Sequence, residues 1–252
     1  MAKHSHWSNI KHKKAANDKK RAAVIAKMGK FITVAVQMGG GGNMADNPRL
    51  RLAVEKARSA GMSLEPIERA IKKAAGLAGE GKAMEEVTYE GYGKGGVAVV
   101  VTVLTDNRTR TAPEIKKLFE YAGGAVGVPG CVSWQFKDKS VFLTDKTTEE
   151  AVMEALLTAD ADAEEILPEE DHQVSISAAP NQFDAIAKAL AAAKITIASQ
   201  GFTKLPDNTI PVTELTVAKA IQELIDSLEE HDDVQDVYHN GNFAQEIAAQ
   251  LG

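Results

Sequence analysis

The sequence predicts an α+β protein: a helical N-terminal domain followed by two ferredoxin-like α+β units. Three observations predict it. Apolar residues recur at helical spacing up to about residue 76, whereas strand-like runs alternate with helices from residue 84 onward. Two strand–helix–strand sets follow that change, each the size of a small α+β sandwich. The charge divides near the same point. Residues 1–82 hold 17 basic and 6 acidic side chains, a net of +11, while the rest holds 12 and 29, a net of −17. The overall −6 and a pI near 5.6 hide this polarity.

A chain of 252 residues is long for one core and suits two or three domains. The segment MAKHSHWSNIKHKKAANDKKR carries seven basic residues and one acidic residue, Asp18, with few apolar ones, so it reads as a basic arm entering a helix. From Ala22 to Met38, Val24, Ile25, Met28, Phe31, Ile32, Val34, Ala35 and Met38 keep helical spacing up to the glycines 39–42. Asn47-Pro48 is a cap and a proline at the first helical position. That helix runs to about Ser59, with Leu50, Leu52, Val54 and Ala57 partly inward, and Gly61 closes it. Ser63 opens a third helix with Leu64, Ile67, Ala70 and Ile71 inward and Arg69, Lys72 and Lys73 outward. Residues 76–81 form a linker.

Val87–Glu90 and Val97–Leu104 predict a hairpin around the turn at residues 91–96. Pro113–Ala122 is a helix, Val132–Phe136 and Ser140–Leu143 are strands, and Thr148–Asp160 is a helix. Strands at Glu164–Ile166 and Val174–Ala178, a helix at Asn181–Ala193 and a strand at Ile195–Phe202 complete the second set. Thr213–Glu230 is a long amphipathic helix, and Asp236–His239 a last short strand.

No run of 18 apolar residues exists, so no membrane partner is expected. The basic N-terminus lacks the apolar core of a secretory signal, and it is too poor in Arg and Ser for an organelle transit peptide. The single Cys131 excludes an internal disulfide and a cysteine-only zinc site, and the cytoplasm is the simplest compartment.

The arm carries the strongest functional signal. Lys3, Lys11, Lys13, Lys14, Lys19, Lys20 and Arg21 supply point charges for phosphate. Trp7 can stack on a splayed base, and His4, Ser5, Asn9 and His12 can donate to phosphate or 2′-hydroxyl oxygens. The competing reading is a solvated tail whose Trp7 tucks against the protein. A second set comprises Arg49 and Arg51, then Arg58, Arg69, Lys72 and Lys73. These fit phosphate contacts or ordinary surface charge paired with Glu55 and Glu68. The third is Asp106-Asn107-Arg108-Thr109-Arg110-Thr111, between a strand and a helix. Arg108 and Arg110 there fit an anion site at a helix N-terminus; equally, Thr111 caps the helix and Asp106 pairs with an arginine.

Other patterns carry less. Gly91-x-Gly93-x-x-Gly96 precedes a strand instead of opening a helix, so it is a hairpin turn and no dinucleotide cofactor is expected. The glycines 39–42 lack the lysine and hydroxyl residue of a phosphate loop. The runs Glu164-Glu165, Glu169–Asp171 and Glu229–Asp233 read as exposed acidic turns. No nucleophile–base pair or metal-ligand set is legible, so no catalysis, metal, cofactor or small-molecule substrate is expected.

Residues 4–21 together with Asn47-Pro48-Arg49-Leu50-Arg51, Ile67-Glu68-Arg69-Ala70-Ile71, Tyr89-Glu90-Gly91-Tyr92-Gly93, Asp106-Asn107-Arg108 and Gly123-Gly124 closely resemble the YebC family. That family includes the mitochondrial translational activator of cytochrome oxidase subunit one. One departure stands at the start, where Lys3 and His6 occupy places usually held by glycine and lysine. The resemblance implies an arm at 1–21, a helical domain at 22–82, a split α+β domain at 83–136 and 206–252, and an α+β domain inserted at 137–205. It also implies two functions. One is a translation factor on RNA at the ribosome that relieves stalling on proline-rich stretches. The other is a DNA-binding transcriptional regulator. The short flexible arm favours irregular RNA. The third helix offers no Asn or Gln to read adenine, although helices two and three, joined at Gly61, could imitate a helix-turn-helix.

Overall fold

The computed structural model describes residues 21–76 and 84–251. Three helices open it: α1 (Arg21–Met38), α2 (Pro48–Ser59) and α3 (Leu64–Gly76). Their apolar stripes meet in one core of Met28, Ile32, Leu50, Ala53, Ala57, Ile67 and Ala74. Two expected core residues lie outside it. Leu52 is 37% exposed and Leu64 52%, because the Leu50–Ala53–Ala57 face, at 3–4-residue spacing, turns Leu52 away. Leu64 opens its helix one turn before the buried Ile67.

The chain then forms β1 (Glu85–Tyr92) and β2 (Ala98–Thr105), an antiparallel hairpin whose turn holds the glycines at 93, 95 and 96. Next come α4 (Arg108–Tyr121) and the two-residue β3 (Ala125–Val126). After the inserted unit the chain continues with β8 (Ile210–Val212), α7 (Leu215–Glu230), β9 (Val234–His239), β10 (Gly241–Phe243) and α8 (Gln245–Leu251). The sheet order is β3-β1-β2-β9, all antiparallel, and β8 and β10 form a separate parallel pair. Valines of β2 pack with Ile115 and Phe119 of α4 and with Ile221, Leu224 and Leu228 of α7.

The inserted unit spans Phe136–Asp207. Its elements are β4 (Phe136–Asp145), α5 (Glu149–Thr158), β5 (Glu165–Pro168), β6 (Val174–Ala178), α6 (Phe183–Ala192) and β7 (Thr196–Pro206). The sheet order β5-β6-β4-β7 with two crossover helices is the βαββαβ arrangement of a ferredoxin-like sandwich. Phe142, Ile176, Ile186 and Leu190 fill its core. The split domain keeps two layers with a different strand order.

Two sequence expectations change here. Residues 132–135 do not begin a strand: the N–H groups of Val132 and Ser133 donate to the Glu90 carboxylate, and Ser133–Gln135 curls into a 3-10 turn. Pairing starts at Phe136 and continues through Ser140–Leu143 as one strand. The helix expected from Pro113 starts at Arg108. Asn107 caps it by accepting from the Arg110 N–H at 3.2 Å, and its backbone carbonyl accepts from Thr111, so a turn forms ahead of the proline.

Candidate nucleic-acid interface

The arm residues Lys3, His4, Ser5, Trp7, Asn9, Lys11, His12, Lys13, Lys14, Lys19 and Lys20 lie outside the described residues, and of Arg21 only the backbone, at the start of α1, is described. The remaining cations of the helical domain divide into two groups by what they touch.

The first group faces the split α+β domain. The Lys27 ammonium donates to the Glu229 carbonyl, and burial lowers its pKa against the opposing pull of Glu229, Asp232 and Asp236. Lys30 donates to Asp233 Oδ1 and to the Asp232 carbonyl, both at 3.1 Å. Lys56 reaches both oxygens of Asp236 at 2.7 and 2.9 Å and lies 5.0 Å from the Phe31 ring centroid. Arg49 pairs with Glu86. Part-exposed pairs of this kind contribute about 0–1 kcal/mol each, so their joint effect is to fix orientation more than stability.

Arg51 belongs with them in being occupied. Its Nη1 donates to the carbonyls of Met44 and Ala45 at 2.6 and 3.0 Å. On the other side of the same loop, buried Asn47 donates to the carbonyls of Ala35 and Gly41, both at 2.8 Å, and accepts from the Leu50 N–H at 2.9 Å. The glycine-rich turn, with φ of 94° at Gly40 and 110° at Gly41, is therefore pinned from both flanks.

The second group points outward. Arg69, Lys72 and Lys73 sit within one turn of α3 and are exposed. Arg69 has only a 3.5 Å pair with exposed Glu65, and Lys72 and Lys73 make no ion pair among the described residues. Arg58, near the end of α2, is also exposed.

At the start of α4, Arg108 is exposed, whereas Arg110 is held by Asp233 at 2.7 Å and by Asp106 at 3.5 Å. Thr111 is not the cap. It is buried and donates to Asp233 Oδ2 at 2.9 Å, with Thr105 Oγ1 at 2.8 Å. Asp233, expected in an exposed acidic turn, is 3% exposed. Burial alone would raise its pKa. The bonds from Arg110, Thr111 and Lys30, with the Lys30 charge, outweigh that and hold it at about 2. His231 extends the cluster, taking the Asp233 N–H at 3.1 Å and meeting Glu114 Oε2 at 3.0 Å.

Sequence reasoning missed this hub. Lys27, Lys30 and Asp233 lie about 200 positions apart, and no local pattern links them. It also missed Glu90, whose buried carboxylate accepts N–H groups of Gly130, Val132 and Ser133 at 2.8, 3.0 and 2.7 Å.

These features define a class: a basic helical domain seated on an acidic split α+β body that carries an inserted α+β unit. The model of the TACO1/YebC protein N-terminal domain matches residues 5–77, and that of the TACO1/YebC second and third domain matches residues 84–241. The chain belongs to the TACO1/YebC family. It is 42% identical over its whole length to the whole of a "probable transcriptional regulatory protein" of Syntrophomonas wolfei. It is 43% identical to another so named from Desulfotalea psychrophila, covering 100% of this chain and 99% of that one. The crystal structure of a conserved hypothetical protein from Aquifex aeolicus superposes with a TM-score of 0.82 at 40% identity, covering 96% of this chain and 99% of that one.

Proposed function

We propose that the protein is a non-catalytic nucleic-acid-binding factor of gene expression. In this reading it works in the cytoplasm on RNA at the ribosome, as a translation factor that relieves stalling on proline-rich sequences. The observation that carries it is the segregated charge, +11 in residues 1–82 against −17 in the remainder. The disposition of side chains supports it. Lys27, Lys30, Lys56, Arg49 and Arg51 have intramolecular partners, so among the described residues of the helical domain the cations left for a polyanion are Arg58 and the outer face of α3. An acidic body held apart from phosphate keeps such a surface oriented and limits nonspecific adhesion.

A second reading, a DNA-binding transcriptional regulator, is favoured by the names of the relatives. Ultraviolet crosslinking in cells followed by sequencing separates the two. Ribosomal RNA is expected; promoter DNA alone would reject the translation reading. Binding also has a salt signature. If the arm neutralises about six phosphates, affinity falls on the order of 10³-fold between about 50 and 200 mM salt. Replacing Lys11, Lys13 and Lys14 by Ala weakens binding across sequences; unchanged affinity would mean that the arm is not the grip.

A further inference from the structure

A cleft of about 1110 Å³ opens between the helical domain and α4. Its α4 wall is one helical face: Asp106 just ahead of the helix, then Arg110, Glu114, Lys117 and Tyr121 at 3–4-residue spacing. From Arg110 to Tyr121 that face spans roughly 16 Å. The two ends differ in charge. At the Arg110 end the charges are matched internally, Arg110 with Asp106 and Asp233, Lys30 with Asp233, and Glu114 with His231. At the Tyr121 end they are not. Lys117 has no carboxylate partner among the described residues and lies 5.2 Å from the Tyr121 ring centroid. Lys73 of α3 lines the same cleft, also without an ion pair among the described residues. Tyr121 is 76% exposed.

We propose that this cleft is a nucleotide subsite for single-stranded nucleic acid, with one base stacked on Tyr121 and the flanking phosphates on Lys73 and Lys117. The proposal rests on the nucleic-acid reading above and adds a contact remote from the arm. An exposed ring in a concave wall, with cations beside it, is the combination that single strands use: stacking for the base and point charge for the backbone. Lys117 occupies one ring face and a base takes the other. Asp232, which lines the cleft beside Asp233, repels phosphate and so directs the backbone to the lysine end. A duplex, whose bases are stacked on each other, has none to offer Tyr121.

The test uses the full-length chain and a fluorescein-labelled oligouridylate, with a self-complementary RNA duplex as comparator. Tyr121→Ala is expected to weaken oligouridylate binding about tenfold, within the range of base–aromatic stacking, and to leave duplex binding unchanged. Replacing Lys73 and Lys117 by Gln should lower both the affinity and its salt dependence. As an independent reporter, Tyr121→Trp in a Trp7→Phe, Trp134→Phe background should be quenched on adding the oligonucleotide. If the wild type binds with a steep salt dependence, yet Tyr121→Ala binds equally well and the new indole is not quenched, the subsite is wrong and the nucleic-acid reading stands. If neither probe binds at low salt, both fall together.

Discussion

The Lys30 ammonium of α1 lies 3.1 Å from Oδ1 of Asp233, the residue before β9, and the two are 203 positions apart. The lysine side chain is 37% exposed and the aspartate 4%. One end of the contact is therefore fixed in the α+β domain by Arg110 and Thr111, and the other brings the helical domain to it. The pair joins two parts of the chain that carry opposite net charge.

Breaking the buried end should cost more than removing the exposed one. Asp233→Asn is expected to destabilise by about 2 kcal/mol, since it leaves three donors facing a neutral amide, whereas Lys30→Ala should cost about 0–1 kcal/mol. Urea denaturation measures both, and equal losses would contradict the hub. The same carboxylate predicts an acid limb. Its pKa is about 2 when folded against an ordinary 3.8, so the unfolded chain binds the proton first as pH falls. The stabilisation is full above about 3.8 and disappears between there and about 2, a change of roughly 2 kcal/mol. Asp233→Asn should flatten that part of the stability–pH curve.

Glu90 makes a comparable prediction for one loop. Burial opposes its ionisation, and the three N–H bonds prevail, so its pKa falls below the ordinary carboxylate value. Gln would turn an NH2 toward those donors. Glu90→Gln should cost about 1–3 kcal/mol and release residues 130–133 to faster amide exchange. Trp134, whose Nε1 donates to the Cys131 carbonyl at 3.2 Å, reports the change by its emission in a Trp7→Phe background. Unaltered exchange in this loop would show that the carboxylate does not hold it.

The sequence was legible where periodicity is long. The three N-terminal helices, the β1–β2 hairpin, strand Val174–Ala178 and the α7 stripe of Ala218, Ile221, Leu224, Ile225 and Leu228 all follow from spacing. The two- and three-residue strands β3, β8 and β10 did not, because so few residues show no alternation. Long-range polar contacts were invisible for another reason. Whether Arg49 meets Glu86 or a phosphate depends on what the fold places opposite it, and composition says nothing about that.

Asn47 shows how a cap can organise more than its helix. It caps α2 and donates to two carbonyls of the preceding segment, so Asn47→Ala should cost about 2–3 kcal/mol, above an ordinary cap deletion. Gly39 leaves it room. A Cβ there would stand 2.1 Å from Asn47 Oδ1 and 2.5 Å from the Ala35 carbonyl. Gly39→Ala should therefore destabilise to a similar degree, and the double variant by less than the sum, as expected for neighbours. Additive losses in a denaturation cycle would separate the two residues.

The division of cations predicts that stability and binding respond to different residues. Arg51→Gln removes two bonds to loop carbonyls and should lower stability by about 1–2 kcal/mol, and Arg49→Gln by less than about 1 kcal/mol. Arg69→Gln and Lys72→Gln touch exposed side chains of α3 and should change stability by no more than about 0.5 kcal/mol. Under the nucleic-acid reading this second pair carries phosphate. Each lost contact then lowers the slope of log affinity against log salt by roughly 0.7–0.9 and weakens binding without regard to sequence. Thermal melts and salt titrations on the same four variants give both axes. If Arg69→Gln and Lys72→Gln left the slope unchanged while Arg49→Gln reduced it, the phosphate-bearing surface would be on the Glu86 side of the helical domain rather than on α3.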